Sequence, residues 1–290
     1  MTSCPMPLPL SNPIEISIPP SERPKPGVFV FLMLLHHLGL NPSALSTVVF
    51  LHGLGANSTS WQLQFPAFQE AGYRIIAPDL RSFGQSPYPG HTSVPEMAGD
   101  ILELLDHLEI PKAHIVGISL GGTVALQFAL DVPNRVCKLV LANTFAHLRP
   151  KNLSVWAYML WRLFLVHTIG LETQAKVVAR RVFPHPDQAD FRGQLMDQIR
   201  QSDPRGYRAT MRALGRFNVQ SRLGEIRCPT LILTSEQDTT VPVETQRVLA
   251  GSIAGARQIL FPQGGHALSV DQAEAFNAAV LSFLCGNYSG

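Results

Sequence analysis

Short apolar runs, each followed by a longer stretch with helical spacing, recur along this chain and narrow its fold more than any other feature. "TVVFL" (47–51), "YRIIAP" (73–78), "AHIVG" (113–117) and "CKLVLA" (137–142) have the length of strands. Between them lie "WQLQFPAFQEAG" (61–72), "MAGDILELLDHL" (97–108) and "LGGTVALQFALD" (120–131), which read as amphipathic or buried helices. A strand that is apolar at nearly every position has both faces covered, and strands joined through helices run parallel. The alternation therefore predicts an α/β fold: a mostly parallel, twisted sheet with helices on both faces. "SVPE" (93–96) reads as the capping box that opens the second helix, Ser93 accepting from the Glu96 amide and Glu96 returning to the Ser93 amide.

The rhythm stops near residue 145. It resumes after about 221 with "TLILT" (230–234), the helix "VETQRVLAG" (243–251), the strand "RQILF" (257–261) and a final helix over 269–284. The interval has long helical patterns, no convincing strand, and a length far beyond that of ordinary loops. The expected organisation is an extended, proline-rich segment over 1–26, a core domain over 27–144 and 222–290, and a helical insertion over 145–221. Within the first part, "IEISI" (14–18) reads as an edge strand and "VFVFLMLL" (28–35) as one or two buried strands.

Composition removes several function classes. Charged residues make up only 15% of the chain, the formal net charge is +2, and no run of five or six like charges occurs, so nucleic acid is not an expected partner. Arg180 and Arg181 read as a solvated helix face. The run 28–35 is too short to span a bilayer and lacks the basic flank and cleavage site of a signal peptide, so no membrane insertion is expected. The four cysteines, at 4, 137, 228 and 285, form no C-x-x-C pair and suit neither zinc nor a disulfide framework. A reduced, cytoplasmic setting is expected, with no metal and no cofactor. A monomer and a homodimer are both compatible with the sequence.

The chemistry is concentrated in "HIVGISLGGTVAL" (114–126). Ser119 stands where a strand turns abruptly into a helix. Such a turn forces its central residue toward positive φ and leaves room only for very small neighbours, here Gly117 and Gly121. The hydroxyl is lifted out at the C-terminal edge of the sheet. A serine hydroxyl is a weak nucleophile until a base takes its proton. His266, in "FPQGGHAL" after the last strand, has the right topological place, with Gly264 and Gly265 expected to let its loop approach the serine. The other histidines, His36, His37, His107 and His185 among them, are read as lying on helix faces or in loops without a partner pattern. The base needs an acid to fix its tautomer. Asp238, at the tip of the loop in "TLILTSEQDTTVP", is preferred over its neighbour Glu236, and Asp271 follows His266 too closely to serve. The amides of Leu120 and of Leu54, in the "HGLG" loop after the first core strand, are the expected oxyanion donors, with His52 bracing that loop.

Together these residues resemble the α/β-hydrolase family, with its G-x-S-x-G turn and its order of serine, acid and histidine along the chain. "FLHGLGANSTSW", "APDLRSFGQS", "VGISLGGTVAL", "RVCKLVLANT", "PTLILTSEQDTTVP" and "GGHAL" are similar to its successive core segments. The resemblance implies that the insertion is a cap, that Asp79 and Arg81 tie down a loop rather than catalyse, and that no metal or cofactor takes part. Serine at the elbow argues against the dehalogenase and epoxide-hydrolase branches, which use aspartate. The implied activity is cleavage of small-molecule carboxylic esters, with short to medium acyl or aryl groups, through an acyl-enzyme. An enol-lactonase or a C–C bond hydrolase is the alternative, and "LVLANT" is weakly similar to the lactonases. A ligand receptor on a retained hydrolase fold is a more remote one. Trp156, Trp161 and Phe145 are the candidate substrate-binding residues. A carboxylate-bearing substrate would need an arginine in that pocket, with Arg149, Arg162 and Arg180 as candidates.

Overall fold

A computed structural model describes residues 34–148 and 153–286, the side chains of 154–156, 158–159, 163 and 165 excepted. The strands expected at 14–18 and, up to residue 33, at 28–35 lie outside the described residues. Seven strands form one sheet in the order β1-β3-β2-β4-β5-β6-β7. β1 (His37–Leu40) pairs antiparallel with β3 (Tyr73–Pro78); β2 (Ser46–Leu51), β3, β4 (Ala113–Ile118), β5 (Val136–Ala142), β6 (Thr230–Ser235) and β7 (Arg257–Phe261) run parallel. The chain steps from β2 outward to β3 and returns to the other side of β2 with β4. At such a reversal of direction the loops beyond the strand ends part and leave a crevice.

The parallel strands read as unbroken apolar runs because both sheet faces are covered. Val49, Leu51, Ile115, Leu139 and Leu141 face one core; Val48, Phe50, Val116 and Val140 face the other. The first core is closed by α2 (Val94–His107) and α3 (Leu120–Asp131), and the second by α1 (Phe65–Glu70) and α10 (Ala273–Leu284). α2 buries Met97, Ile101, Leu104 and Leu105, the spacing of one helical stripe, and each such side chain contributes about 1.5–3 kcal/mol on leaving water. Its start differs in detail from the expected box. The Ser93 hydroxyl accepts from the Glu96 amide at 3.3 Å, but it also donates to the Glu96 carboxylate at 2.8 Å, so the two side chains bond to each other.

Three stretches depart from expectation. The 61–72 helix is split into a short 3-10 turn (Ser58–Trp61) and α1, because Pro66 fits only near a helix start. The last helix is split at Gln272 into α9 (Leu268–Asp271) and α10. β1 was not expected, and His36 and His37 are neither helical nor unpartnered. His37 lies in β1, and His36 Nδ1 is 2.8 Å from Asp79 Oδ2. With a glycine in only four residues, this edge strand has no apolar run to mark it.

Between β5 and β6 stand four helices: α4 (Leu153–Thr168), α5 (Leu171–Val182), α6 (Ala189–Gln201) and α7 (Pro204–Arg216). Their two ends are drawn together by an isolated bridge between His147 and Asn218 and by the Val219 amide donating to the Ala146 carbonyl at 3.0 Å. α8 (Val243–Ser252) connects β6 to β7. Among the described residues no helix is long and apolar enough to cross a membrane, and Cys137, Cys228 and Cys285 are free thiols.

Candidate active site

Ser119 occupies the single residue between β4 and α3, with φ 54° and ψ −115°. A non-glycine residue in that region stores on the order of 1–3 kcal/mol of strain, which the surroundings must hold. They do so through main chain and the Thr144 hydroxyl. The Ser119 amide donates to the Ala142 carbonyl at 3.0 Å, and the Ser119 carbonyl accepts from the Thr123 amide at 3.1 Å and from Thr144 Oγ1 at 2.7 Å. The small neighbours are needed for a reason sharper than mutual crowding. A methyl on Gly117 would overlap the Gly121 carbonyl, one on Gly121 would enter the Leu51 carbonyl at the end of β2, and one on Gly122 would strike the Thr144 side chain.

The turn aims the serine at the loop after β7. Ser119 Oγ is 3.1 Å from His266 Nε2, and His266 Nδ1 is 3.0 and 2.9 Å from the two carboxylate oxygens of Asp238. The Asp238 side chain is wholly buried, and its Oδ1 also accepts from the amides of Thr240 at 2.7 Å and Val241 at 2.9 Å. An acid held by its own loop in this way has one orientation left for the imidazole. The structure thus brings Ser119, Asp238 and His266 into one chain of hydrogen bonds from three distant parts of the sequence. Glu236 is exposed and stands outside it.

Gly264 and Gly265 serve a different contact from the expected approach to the serine. A methyl on Gly264 would lie 2.7 Å from Ser235 Oγ, and one on Gly265 would lie 2.6 Å from Asp271 Oδ2. Both glycines therefore admit neighbours that brace the loop. Asn143, fully buried at the end of β5 with φ 44°, braces it from below. Its Nδ2 donates to Ser235 Oγ and to the carbonyls of Gly265 and His266, each at 2.9 Å, while its Oδ1 accepts from the Ser235 amide at 2.9 Å. Asn143 was missed in the sequence. Its signal is a lone carboxamide directly after an apolar strand, where a buried polar group must find partners.

On the β2 side, His52 is fully buried and its pKa is lowered, chiefly because burial disfavours the imidazolium. Its Nε2 accepts from the Leu80 amide at 2.9 Å and its Nδ1 lies 2.8 Å from the Gly53 carbonyl, so one neutral tautomer satisfies both. The next loop is gathered by Asp79, which accepts from the amides of Ser58 and Gln85, and by Arg81, which forms a double hydrogen bond with Asp100. Leu54, beyond Gly53, lines the same cavity as Ser119, and Leu120 is the first residue of α3, where helix geometry leaves the amide without an intrahelical acceptor.

That cavity, of about 280 Å³, contains Ser119 and His266. Phe145 lines it. Trp161 does not: it is 51% exposed and stacks on Phe164 at 5.7 Å between ring centres, on the outer side of α4. The Trp156 side chain lies outside the described residues. Among the described residues, apolar wall comes from α5, α6 and the turn between them, through Val178, Val182, Phe183, Phe191 and Leu195. α4 contributes Arg162 and α5 contributes Arg181. Arg180 does not line the cavity, and Arg149 lies outside the described residues.

The chain belongs to the α/β hydrolase family, whose model matches residues 48–279. Hydrolysis is the class of chemistry that this fold and its relatives support. A Variovorax paradoxus (strain S110) protein named "Putative carbamate hydrolase RutD" is 35% identical over 261 residues, 87% of this chain and 96% of that one. The 3-oxoadipate enol-lactonase 2 of Acinetobacter baylyi is 31% identical, over 80% of this chain and 86% of its own length. Among solved structures, an enol-lactonase from Burkholderia xenovorans LB400 is 25% identical, with a TM-score of 0.80, over 87% of this chain and 96% of that one.

Proposed function

We propose that this protein is a serine hydrolase that cleaves carboxylic esters with short to medium acyl or aryl groups, with Ser119 as nucleophile, His266 as base and Asp238 as the orienting acid. The observation that carries the reading is the 3.1 Å approach of Ser119 Oγ to His266 Nε2 inside a mostly apolar cavity. His266 takes the hydroxyl proton as Oγ attacks the acyl carbon, and the negative oxygen is met by the amides of Leu54 and Leu120. Each such donor is worth about 10²–10³ in rate. Collapse expels the alcohol, which receives the proton from His266. Water, activated by the same imidazole, then releases the acid and regenerates the serine. The four-helix insertion serves as a cap that closes the acyl pocket.

The test is hydrolysis of 4-nitrophenyl esters from acetate to palmitate by the wild type and by Ser119→Ala. The wild type is expected to turn over rapidly and to peak at short or medium chains, and the variant to lose about 10⁴–10⁶ in kcat. Turnover slower than one per minute on every ester would remove the esterase reading and favour a receptor.

Arg162 on the cavity wall favours a second reading: a substrate whose acyl part bears a carboxylate, as an enol-lactone or a carbamate could. The named activities of the relatives point the same way. Under this reading mono(4-nitrophenyl) succinate is cleaved better than 4-nitrophenyl butyrate, and Arg162→Met reverses the order. A preference for the butyrate in both proteins returns the assignment to uncharged esters.

A further inference from the structure

Asp271 is used by no step above, yet two donors from different parts of the fold converge on its carboxylate. Gly265, the residue before the base, donates its amide to Asp271 Oδ2 at 3.1 Å. Gln188, in the turn between α5 and α6, donates its Nε2 to Asp271 Oδ1 at 2.8 Å. The orientation of that amide is not free, because Gln188 Oε1 already accepts from the His185 amide at 3.0 Å. Two donors, one on each oxygen, favour the carboxylate over the protonated acid. Burial pushes the Asp271 carboxyl up to about 6; the Gly265 amide, His266 and His185 pull it down, and Asp238 pushes it up.

A second tie leaves the same stretch of the insertion. Arg181, near the end of α5, donates from Nη2 to the Thr239 carbonyl, and Thr239 Oγ1 donates to the Arg181 carbonyl at 2.8 Å. Thr239 follows Asp238 directly. Residues 181–188 of the insertion therefore hold both loops that carry the acid and the base, each through the neighbour of the functional residue. On the reading of Ser119, His266 and Asp238 given above, we infer that Asp271 is a positioning residue: it ties the insertion to the His266 loop, so that the seating of the cap sets the reach of His266 to Ser119.

The tie can be moved without being cut. In Asp271→Asn, the new Nδ2 meets a donor in either orientation of the amide, Gln188 Nε2 or the Gly265 N–H. In the double variant Asp271→Asn/Gln188→Glu, the new Nδ2 has an acceptor again, and the second glutamate oxygen still accepts from the His185 amide. The readout is the second-order rate at which a fluorophosphonate labels Ser119 at pH 8, which needs the base but no particular substrate. We expect Asp271→Asn to be slower than wild type by about 10-fold or more, since small misplacements of reacting groups cost rate steeply, and the double variant to return to within about 3-fold. Melting temperatures identify any loss of fold; should Asp271→Asn not fold, Gln188→Ala is expected to slow labelling in its place. Labelling of Asp271→Asn at the wild-type rate would overturn the inference. So would a folded double variant as slow as the single one, which would mean that the charge and not the tie matters. Failure of the wild type itself to be labelled at Ser119 would instead overturn the nucleophile assignment.

Discussion

Around Ser119 the groups are placed mainly by main chain: a strained elbow held by the Ala142 carbonyl, and Gly117 and Gly121 set against other backbones. Across the cavity, in the insertion, they are placed by side chains: Phe183, Phe191 and Leu195 for shape, Gln188 and Arg181 for ties. A main-chain fit tolerates no added atom, whereas a side-chain wall accepts exchange at modest cost. The difference teaches where the chemistry is fixed and where the choice of substrate can vary.

The sharpest way to break the comparison is Gly121→Ala. Its methyl would enter the Leu51 carbonyl, and a loss of about 3 kcal/mol or more in stability is expected from denaturant unfolding, with activity falling alongside. A stable, active variant would mean that the elbow gives way more easily than its packing implies. Next in size is Asn143→Ala, which leaves the Ser235 amide and the His266 carbonyl without their partner. A cost of about 1–3 kcal/mol for the stranded groups is expected, together with slower labelling of Ser119. If only stability changed, Asn143 would brace the sheet end without setting the base. Smallest is Phe191→Ala, in the wall. It is expected to shift the preferred acyl chain toward longer esters, with changes in kcat/KM of about 10-fold between neighbouring chain lengths and little change in labelling rate. An equal loss on every ester would place Phe191 with the elbow rather than with the wall.

The same division explains what could be read from the residues alone. The parallel core was legible because apolar strand runs and glycine-bearing turns are local patterns. Ser119 directly follows such a strand, and Asp238 and His266 stand in the loops just beyond β6 and β7, so topology brought them to one edge. Oppositely, the wall of the cavity was not legible. "LSVWAYMLWRLFLVHT" has the most apolar sequence in the insertion, yet of its described side chains Trp161 and Phe164 are exposed, and among the described residues the less apolar α5 and α6 supply apolar lining. Which stripe of a helix turns inward depends on how neighbouring helices seat, and no short pattern encodes that. Asn143 was missed for a related reason: a side chain that acts by bonding distant backbone has no partner nearby in sequence, 92 residues separating Asn143 from Ser235, and the distant partner of Asp271, Gln188, is 83 residues away.

The contact of Gly121 with the Leu51 carbonyl has one more consequence. Elbow and the end of β2 meet along a seam with no rotamers in it, so thermal jostling of side chains has nothing to work on there, and only movement of whole strands can widen the gap. Lineages that adapt this scaffold to new acyl compounds should therefore accumulate their changes in α5 and α6, leaving the seam untouched as the substrate drifts.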